Sequence, residues 1–338
     1  MINQRIILID TGSESNQIMM SDVGKMDNAI QLSDLYQINS HRIMKRIFQI
    51  HFGFILNKKY EIPLKSLWDK RCVLNQLLFD SNQEYYLILV NDVIRKLSNS
   101  YLKKINEMNK VHTFVLLLDS YDKIQPFFRR CINKVKSEKV YSFQKSDCVR
   151  YGFKYINTLY SKVELVKKEN NFQTDIYFVG AEKGRMEEIS KIFNFFFEKG
   201  FKCKFDVIVS NSSLMAYREK YPGINFQTKR IGYKYILKDI QSSKCILELC
   251  QEGQDGLTMR FYEAIFYNKC LFTNNNSALC HELYNKDYMK VFHSIEDIDV
   301  GKEFFDQKVD YHYNNQMSPV HLIEKIMADN ELDGGFLI

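Results

Sequence analysis

With 338 residues, 45% of them hydrophobic and 26% charged, the chain is long enough for two domains of ordinary size and apolar enough to give each a core. Only 4 prolines and 14 glycines exclude a low-complexity or disordered chain, and a net charge of +6 is too mild for a dedicated nucleic-acid binder. Eight cysteines without a Cys-x-x-Cys pair argue for a reducing, cytoplasmic setting rather than a disulfide framework or a zinc site.

The chain opens with Arg5-Ile6-Ile7-Leu8-Ile9-Asp10, too short an apolar run for a signal-peptide core. It reads as a first strand over 6–9. Helical periodicity follows over 37–50 and 64–78, then a strand over 86–90, a helix over 92–107, a strand over 114–118, a helix over 125–136 and a short strand over 140–142. Val115-Leu116-Leu117-Leu118 is apolar at every position, as parallel strands buried on both faces are. After the polar stretch Lys167-Lys168-Glu169-Asn170-Asn171 the pattern restarts. Strands are expected over 176–179, 205–209, 245–249 and 270–273, with helices over 186–199, 233–241 and 257–267. This alternation predicts two doubly wound α/β halves, 1–165 and 166–338. No apolar run approaches the roughly 20 residues of a membrane span.

Basic residues gather at Lys58-Lys59, at Arg129-Arg130 with Lys134, Lys136 and Lys139, and at Lys167-Lys168. Such runs suit anionic lipid headgroups or phosphorylated donors. Richness in Lys, Asn, Ile, Phe and Tyr equally fits an AT-rich coding sequence, with no functional meaning.

Two stretches carry chemistry. In Tyr177-Phe178-Val179-Gly180-Ala181-Glu182-Lys183-Gly184-Arg185 a strand runs into a glycine turn with two cations, and a helix begins just after. Backbone N–H groups at such a turn suit a phosphate, and Lys183 and Arg185 would add charge-assisted bonds. A polar loop with solvated charges is the plain alternative. The second stretch, Gly253-Gln254-Asp255-Gly256-Leu257-Thr258-Met259-Arg260-Phe261-Tyr262-Glu263-Ala264, follows a buried strand and opens a helix. Open α/β sheets bind ligands at that end. Gly253 and Gly256 would let backbone approach a diphosphate, and Thr258 offers a hydroxyl near the helix start. Arg260 and Glu263, three apart, share one helix face, where they form either an ordinary ion pair or a phosphate-and-ribose contact. Lys229-Arg230-Ile231-Gly232-Tyr233 is a further turn entering a helix, lining a base or diphosphate or simply capping that helix.

These residues resemble the bacterial GT-B glycosyltransferases of capsule, exopolysaccharide and lipopolysaccharide assembly. The stretches that match are 175–185, 230–233 with its helix, 253–264 and 267–275, with 140–160 resembling the segment before the interdomain crossover. Together they cover about half the chain. The resemblance implies two Rossmann-like domains facing a cleft, the first for an acceptor and the second for a nucleotide-sugar donor. It implies that Glu263 holds the donor ribose, that Lys183, Arg185 and Arg260 contact the diphosphate, and that Gly180, Arg230, Tyr233, Gly253, Gly256 and Thr258 line the donor site. Many retaining members carry an acidic residue eight positions before that glutamate. Here it is Asp255 rather than Glu, which leaves the stereochemistry open.

The implied reaction moves a sugar, a hexosyl group by preference, from a nucleotide-diphosphate donor to a growing or lipid-linked surface glycan. No cofactor and no metal are expected: Arg, Lys and N–H dipoles would stabilise the departing diphosphate. An inverting reaction needs a base, for which Asp119 at the end of the strand 114–118 is the candidate and a turn or helix cap the alternative. A location in the cytoplasm, at the inner face of the cell membrane, follows. The rival from another class is a catalytically silent subunit that keeps the fold and assists a partner transferase. An epimerase with a bound dinucleotide fits less well, since no Gly-x-Gly-x-x-Gly turn follows 6–9. On this reading, Glu263→Ala and Arg260→Ala should abolish donor binding and leave the thermal midpoint nearly unchanged.

Overall fold

The computed structural model describes residues 3–10, 12–36, 38, 42–53, 56–57, 62–77, 82–119, 121, 129, 131–132, 134–136, 139–165, 173–250 and 256–334. They form two compact units, Met1–Ser161 with Asn315–Ile338, and Lys162–Asn314. Both are Rossmann-like, each built on a six-stranded, wholly parallel sheet.

In the first unit the strands are β1 (Asn3–Ile9), β2 (Ala29–Leu32), β3 (Gln83–Val90), β4 (Val111–Leu117), β5 (Val140–Ser142) and β6 (Lys154–Tyr155), in the order β2-β1-β3-β4-β5-β6. Every second residue of the inner strands faces one layer. Ile7, Leu87, Leu89 and Val115 pack with Trp68, Tyr101 and Leu102, while Ile6, Leu8, Tyr86, Ile88 and Leu116 pack on the other side with Met20 and Val23. Two-sided burial is why these strands are apolar throughout.

The periods read over 64–78 and 92–107 resolve into tighter turns. A 3-10 segment, Lys65–Arg71, precedes the short helix Leu74–Leu77, and another, Asn91–Lys96, precedes the helix Asn99–Asn106. Ser98 caps the last of these by accepting the N–H of Tyr101 at 3.1 Å. Half of the helix expected over 125–136 lies outside the described residues.

The C-terminal helix, Pro319–Gly334, belongs to the first unit, not to the second half in which the sequence reading put it. Leu322, Ile323 and Ile326 form one apolar stripe and complete the layer over Tyr86 and Ile88. The pattern restart near 165 therefore marks where the second unit begins, and the chain then returns to the first.

The second unit contains β7 (Thr174–Ala181), β8 (Cys203–Ile208), β9 (Asn225–Gln227), β10 (Ser243–Glu248), β11 (Cys270–Thr273) and β12 (Met289–Val291). Its order, β9-β8-β7-β10-β11-β12, reverses direction between β7 and β10. One face is almost wholly aromatic and aliphatic: Phe178, Phe205 and Phe272 pack with Phe193 and Phe196 of the helix Met186–Glu198 and with Phe304 and Phe305. The helices Tyr233–Gln241 and Met259–Phe266 cover the opposite face.

Because Ile323 is fully buried in the first unit's core, Ile323→Ala should lower its stability by about 2–5 kcal/mol. Urea unfolding followed by circular dichroism measures this, and a change below about 0.5 kcal/mol would show that the helix contributes little to that core.

Candidate functional site: the carboxyl edge of the second sheet

A parallel sheet collects its strand ends at one edge, and the point where strand order reverses opens a crevice there. In the second unit that point lies between β7 and β10, so the loops leaving those strands flank it. Both sequence-predicted stretches are these loops.

The loop after β7 is a tight turn. Glu182 N–H donates to Ile208 O at 3.0 Å, and Arg185 N–H returns to Glu182 O at 2.8 Å. Lys183 and Gly184 both have left-handed backbone, with φ of 41° and 79°. Gly184 serves this turn, since a Cβ there would meet nothing within 4 Å. Gly180 has a different role: a Cβ on it would lie 3.0 Å from Cζ of Phe178, so the residue makes room for its own strand neighbour. Lys183 is exposed at the tip.

Arg185 turns inward. Its Nη2 donates to Ala181 O at 2.9 Å and its Nη1 to Leu249 O at 2.5 Å, which straps the end of β7 to the residue just past β10. This guanidinium thus joins the first stretch to the end of the strand that precedes the second. The helix Met186–Glu198 that follows carries Glu187 and Glu188 in its first turn, and Glu182 accepts the Gly184 N–H at 3.0 Å. The chain's own acids therefore answer part of the positive end of that helix.

The loop after β10 is held at its root by a carboxylate that sequence reasoning missed. Glu248 ends β10 and is buried. It accepts from the Thr258 hydroxyl at 2.5 Å, the Thr258 N–H at 3.3 Å and the Thr273 hydroxyl at 2.5 Å. Burial pushes its carboxyl above the ordinary range, with the two threonines acting against that rise. Thr258 is also the N-cap of Met259–Phe266, accepting the Arg260 N–H at 3.1 Å. Asn275 donates to Gly256 O at 3.1 Å, and Asn274 accepts the Cys250 N–H at 2.7 Å. Both ends of the loop are thereby tied to the end of β11. The only sequence signals were a lone acid ending the apolar run Cys245-Ile246-Leu247 and the polar triplet Thr273-Asn274-Asn275.

Arg260 and Glu263 do share a face of their helix and are ion-paired. Glu263 is fully buried and also accepts the Tyr233 hydroxyl, which arrives from the first turn of Tyr233–Gln241 at 2.7 Å. Burial raises its carboxyl, opposed by the Arg260 guanidinium and the Tyr233 hydroxyl. The expected insensitivity of the thermal midpoint to Glu263→Ala does not survive this geometry. That substitution leaves a largely buried guanidinium without its partner and should cost about 3–5 kcal/mol.

Arg230 is exposed in the segment after β9. Gly253 and Asp255 lie outside the described residues. Asp119 follows β4 in the first unit and is exposed, so it shares no loop with the residues expected at the second sheet. The chain also carries one Asp-x-Asp triplet, Asp297-Ile298-Asp299, beyond β12. Asp297 accepts the N–H groups of His293 at 3.0 Å and Ser294 at 2.8 Å as a turn cap, and those bonds hold its carboxyl below the usual range.

The architecture places the chain among proteins built from two Rossmann-like units. Among solved structures it is similar to the UDP-GlcNAc 2-epimerase of Neisseria meningitidis bound to UDP-GlcNAc, with 9% identity and a TM-score of 0.53 over 96% of this chain and 99% of that one. It is also similar to the N-terminal domain of trehalose-6-phosphate phosphatase from Candida albicans, with 10% identity and a TM-score of 0.50 over 97% of each chain. At such identities the likeness concerns the fold alone. No protein-family model and no curated protein sequence matches the chain.

A carboxyl raised by burial binds its proton more readily folded than unfolded, so its contribution to stability is present at low pH and lost as pH rises through the folded pKa. Glu248→Gln removes that titration. The thermal midpoint of the variant relative to the wild type should therefore rise as pH increases above the ordinary glutamate range, as scanning calorimetry at several pH values measures. A difference that stays flat would mean that burial does not perturb this carboxyl.

Proposed function

We propose that the chain is a glycosyltransferase that takes a sugar from a nucleotide-diphosphate donor held at the β7–β10 reversal of the second unit. The observation that carries the reading is the Arg185 strap, which ties Ala181 at the end of β7 to Leu249 just past β10, where the strand order reverses. Lys183 supplies an exposed cation at that edge, and Arg230 a second in the segment after β9. In this reading they meet the diphosphate, while Arg185 shapes the loop that presents it. Charge on the leaving diphosphate grows as the glycosidic bond breaks, so fixed cations lower the barrier without reorganising. Glu263 takes the ribose, and the Thr258 cap orients the start of the helix beneath it.

The finer parts of the reading rest on the sequence resemblance. The acceptor is a growing or lipid-linked bacterial surface glycan, the reaction proceeds without a metal, Asp119 is the candidate base, and the protein works at the inner face of the membrane. One observation favours the second reading, a catalytically silent subunit that assists a partner transferase: Glu263, the expected ribose ligand, is already engaged by Arg260 and Tyr233 and is buried.

Calorimetry with a panel of nucleoside diphosphates tests the site. The wild type should bind at least one, and Lys183→Ala should weaken that binding about tenfold, roughly 1.4 kcal/mol, with an unchanged thermal midpoint. Failure of every nucleoside diphosphate to bind would sink the assignment. Sugar release from the matching nucleotide-sugar, retained in EDTA, separates the metal-independent transferase from the silent subunit.

A further inference from the structure

The helix Arg42–Phe52 of the first unit is apolar over more of its circumference than the core covers. At 100° per residue, Met44, Phe48, His51 and Phe52 fall on one arc and Ile43, Ile47 and Ile50 on the next, so the apolar surface spans roughly 200°. The first arc is used: Phe52 is buried, Phe48 and Met44 pack on the core, and Phe48 and Phe52 both touch the Trp68 ring. The second arc faces solvent, with Ile43 72% and Ile50 49% exposed. The remaining arc holds Arg42, Lys45 and Arg46, all exposed.

The neighbouring 3-10 segment Lys65–Arg71 repeats the arrangement. Trp68 turns inward and donates its indole N–H to His51 Nδ1 at 2.8 Å, which locks the two elements side by side. Leu64, just before the segment, and Leu67 within it are 63% and 67% exposed. Lys70 and Arg71 are exposed beside them. Single exposed apolar residues need no explanation. Here Ile43, Ile47, Ile50, Leu56, Leu64 and Leu67 are half of the twelve large apolar residues exposed among the described residues, within one short stretch of chain.

An apolar surface interleaved with cations, and with no acid inside the helix itself, matches a layer of acyl chains beneath anionic headgroups. We propose that the first unit docks on an anionic lipid bilayer through the helix Arg42–Phe52 and the segment Lys65–Arg71, with the isoleucines and leucines entering the interface and Arg42, Lys45, Arg46, Lys70 and Arg71 at headgroup level. This deepens the membrane placement proposed above and does not depend on sugar transfer.

Co-sedimentation of the full chain with phosphatidylcholine vesicles, with and without phosphatidylglycerol, tests it. The wild type should pellet with the anionic vesicles and far less with the neutral ones, and added salt should weaken binding. Ile43→Glu with Ile50→Glu should reduce the bound fraction about tenfold or more, while Ile43→Leu with Ile50→Leu retains it. Arg42→Gln with Arg46→Gln, which leaves the apolar arc intact, should lower the preference for anionic lipid and decides the matter if the glutamate variant fails to fold. No binding to either vesicle, or binding indifferent to these substitutions, overturns the proposal. So does a dimer in analytical ultracentrifugation that the glutamate variant abolishes, because the surface then belongs to a second copy of the chain. Nucleoside-diphosphate affinity measured on the same variants should stay unchanged, which keeps this outcome separate from that of the donor site.

Discussion

The second unit depends on how its strand ends are held where the sheet order reverses. Backbone carbonyls at the end of a parallel strand lose their ladder partners, and at the β7–β10 boundary a single guanidinium answers two of them, Ala181 O and Leu249 O. An arginine suits this because its planar fork presents several donors at fixed angles and stays charged. A charged donor to a carbonyl is worth about 1.5–3 kcal/mol, enough to fix a short loop. On the β10 side Glu248 does the complementary work as an acceptor, gathering three donors from two elements. The carboxyl edge of the sheet at this point is thus held by the chain's own side-chain bonds.

The two faces of that sheet differ in chemistry, and the difference explains where buried charge is tolerated. Beneath Met186–Glu198 lie stacked and edge-on phenylalanines that demand no polar partner. On the opposite face Tyr177 alternates with Ile176 and Phe178 and lies among Lys204, Asp206, Asp239, Arg260 and Glu263. Lys204 pairs with Asp239 at 2.6 Å, and Asn225 donates to Asp206 at 3.2 Å. Burial raises the carboxyls of Asp206 and Glu263 there. A polar layer of this kind gives less stability than an apolar one of equal volume. In exchange it holds charged groups in fixed positions on that face, while the aromatic face supplies the stability.

What the sequence disclosed follows from how strongly burial constrains each segment. Inner strands such as β3, β4, β7 and β10 are buried on both faces, so their apolar runs were legible. The edge strands β2, β6, β9 and β12, and the helix Lys145–Tyr151, were not. Edge strands pair on one side only, are two to four residues long, and include exposed or half-buried positions such as those of Ala29–Leu32. The 3-10 segments read as helix because Lys65–Arg71 and Asn91–Lys96 flank helical turns and share much of their period. At the site, the glycine turn after β7 and the Arg260–Glu263 spacing are local features and could be read from the chain. Glu248 draws its partners from 10 and 25 residues away, and Arg185 its second carbonyl from 64 away, distances at which spacing carries no information.

The engagement of Glu263 bears directly on how a ribose could be held. Its carboxylate accepts one hydroxyl, that of Tyr233, and one guanidinium N–H, which leaves lone pairs on both oxygens. Replacing the Tyr233 hydroxyl by a ribose hydroxyl exchanges one neutral donor for another of similar strength, so the swap itself is nearly free once the ribose is in place. Arg260 keeps its ion pair throughout, so the carboxylate is never left buried without a counter-charge, the one arrangement that would be prohibitive. Tyr233 is the first residue of its helix, just after Gly232, and is only half-buried, whereas Ile236, Leu237 and Ile240 of the same helix are buried. A buried, preoccupied glutamate is therefore compatible with ribose binding if the tyrosine yields its place, and Tyr233 rather than Arg260 is the group whose movement would open the site.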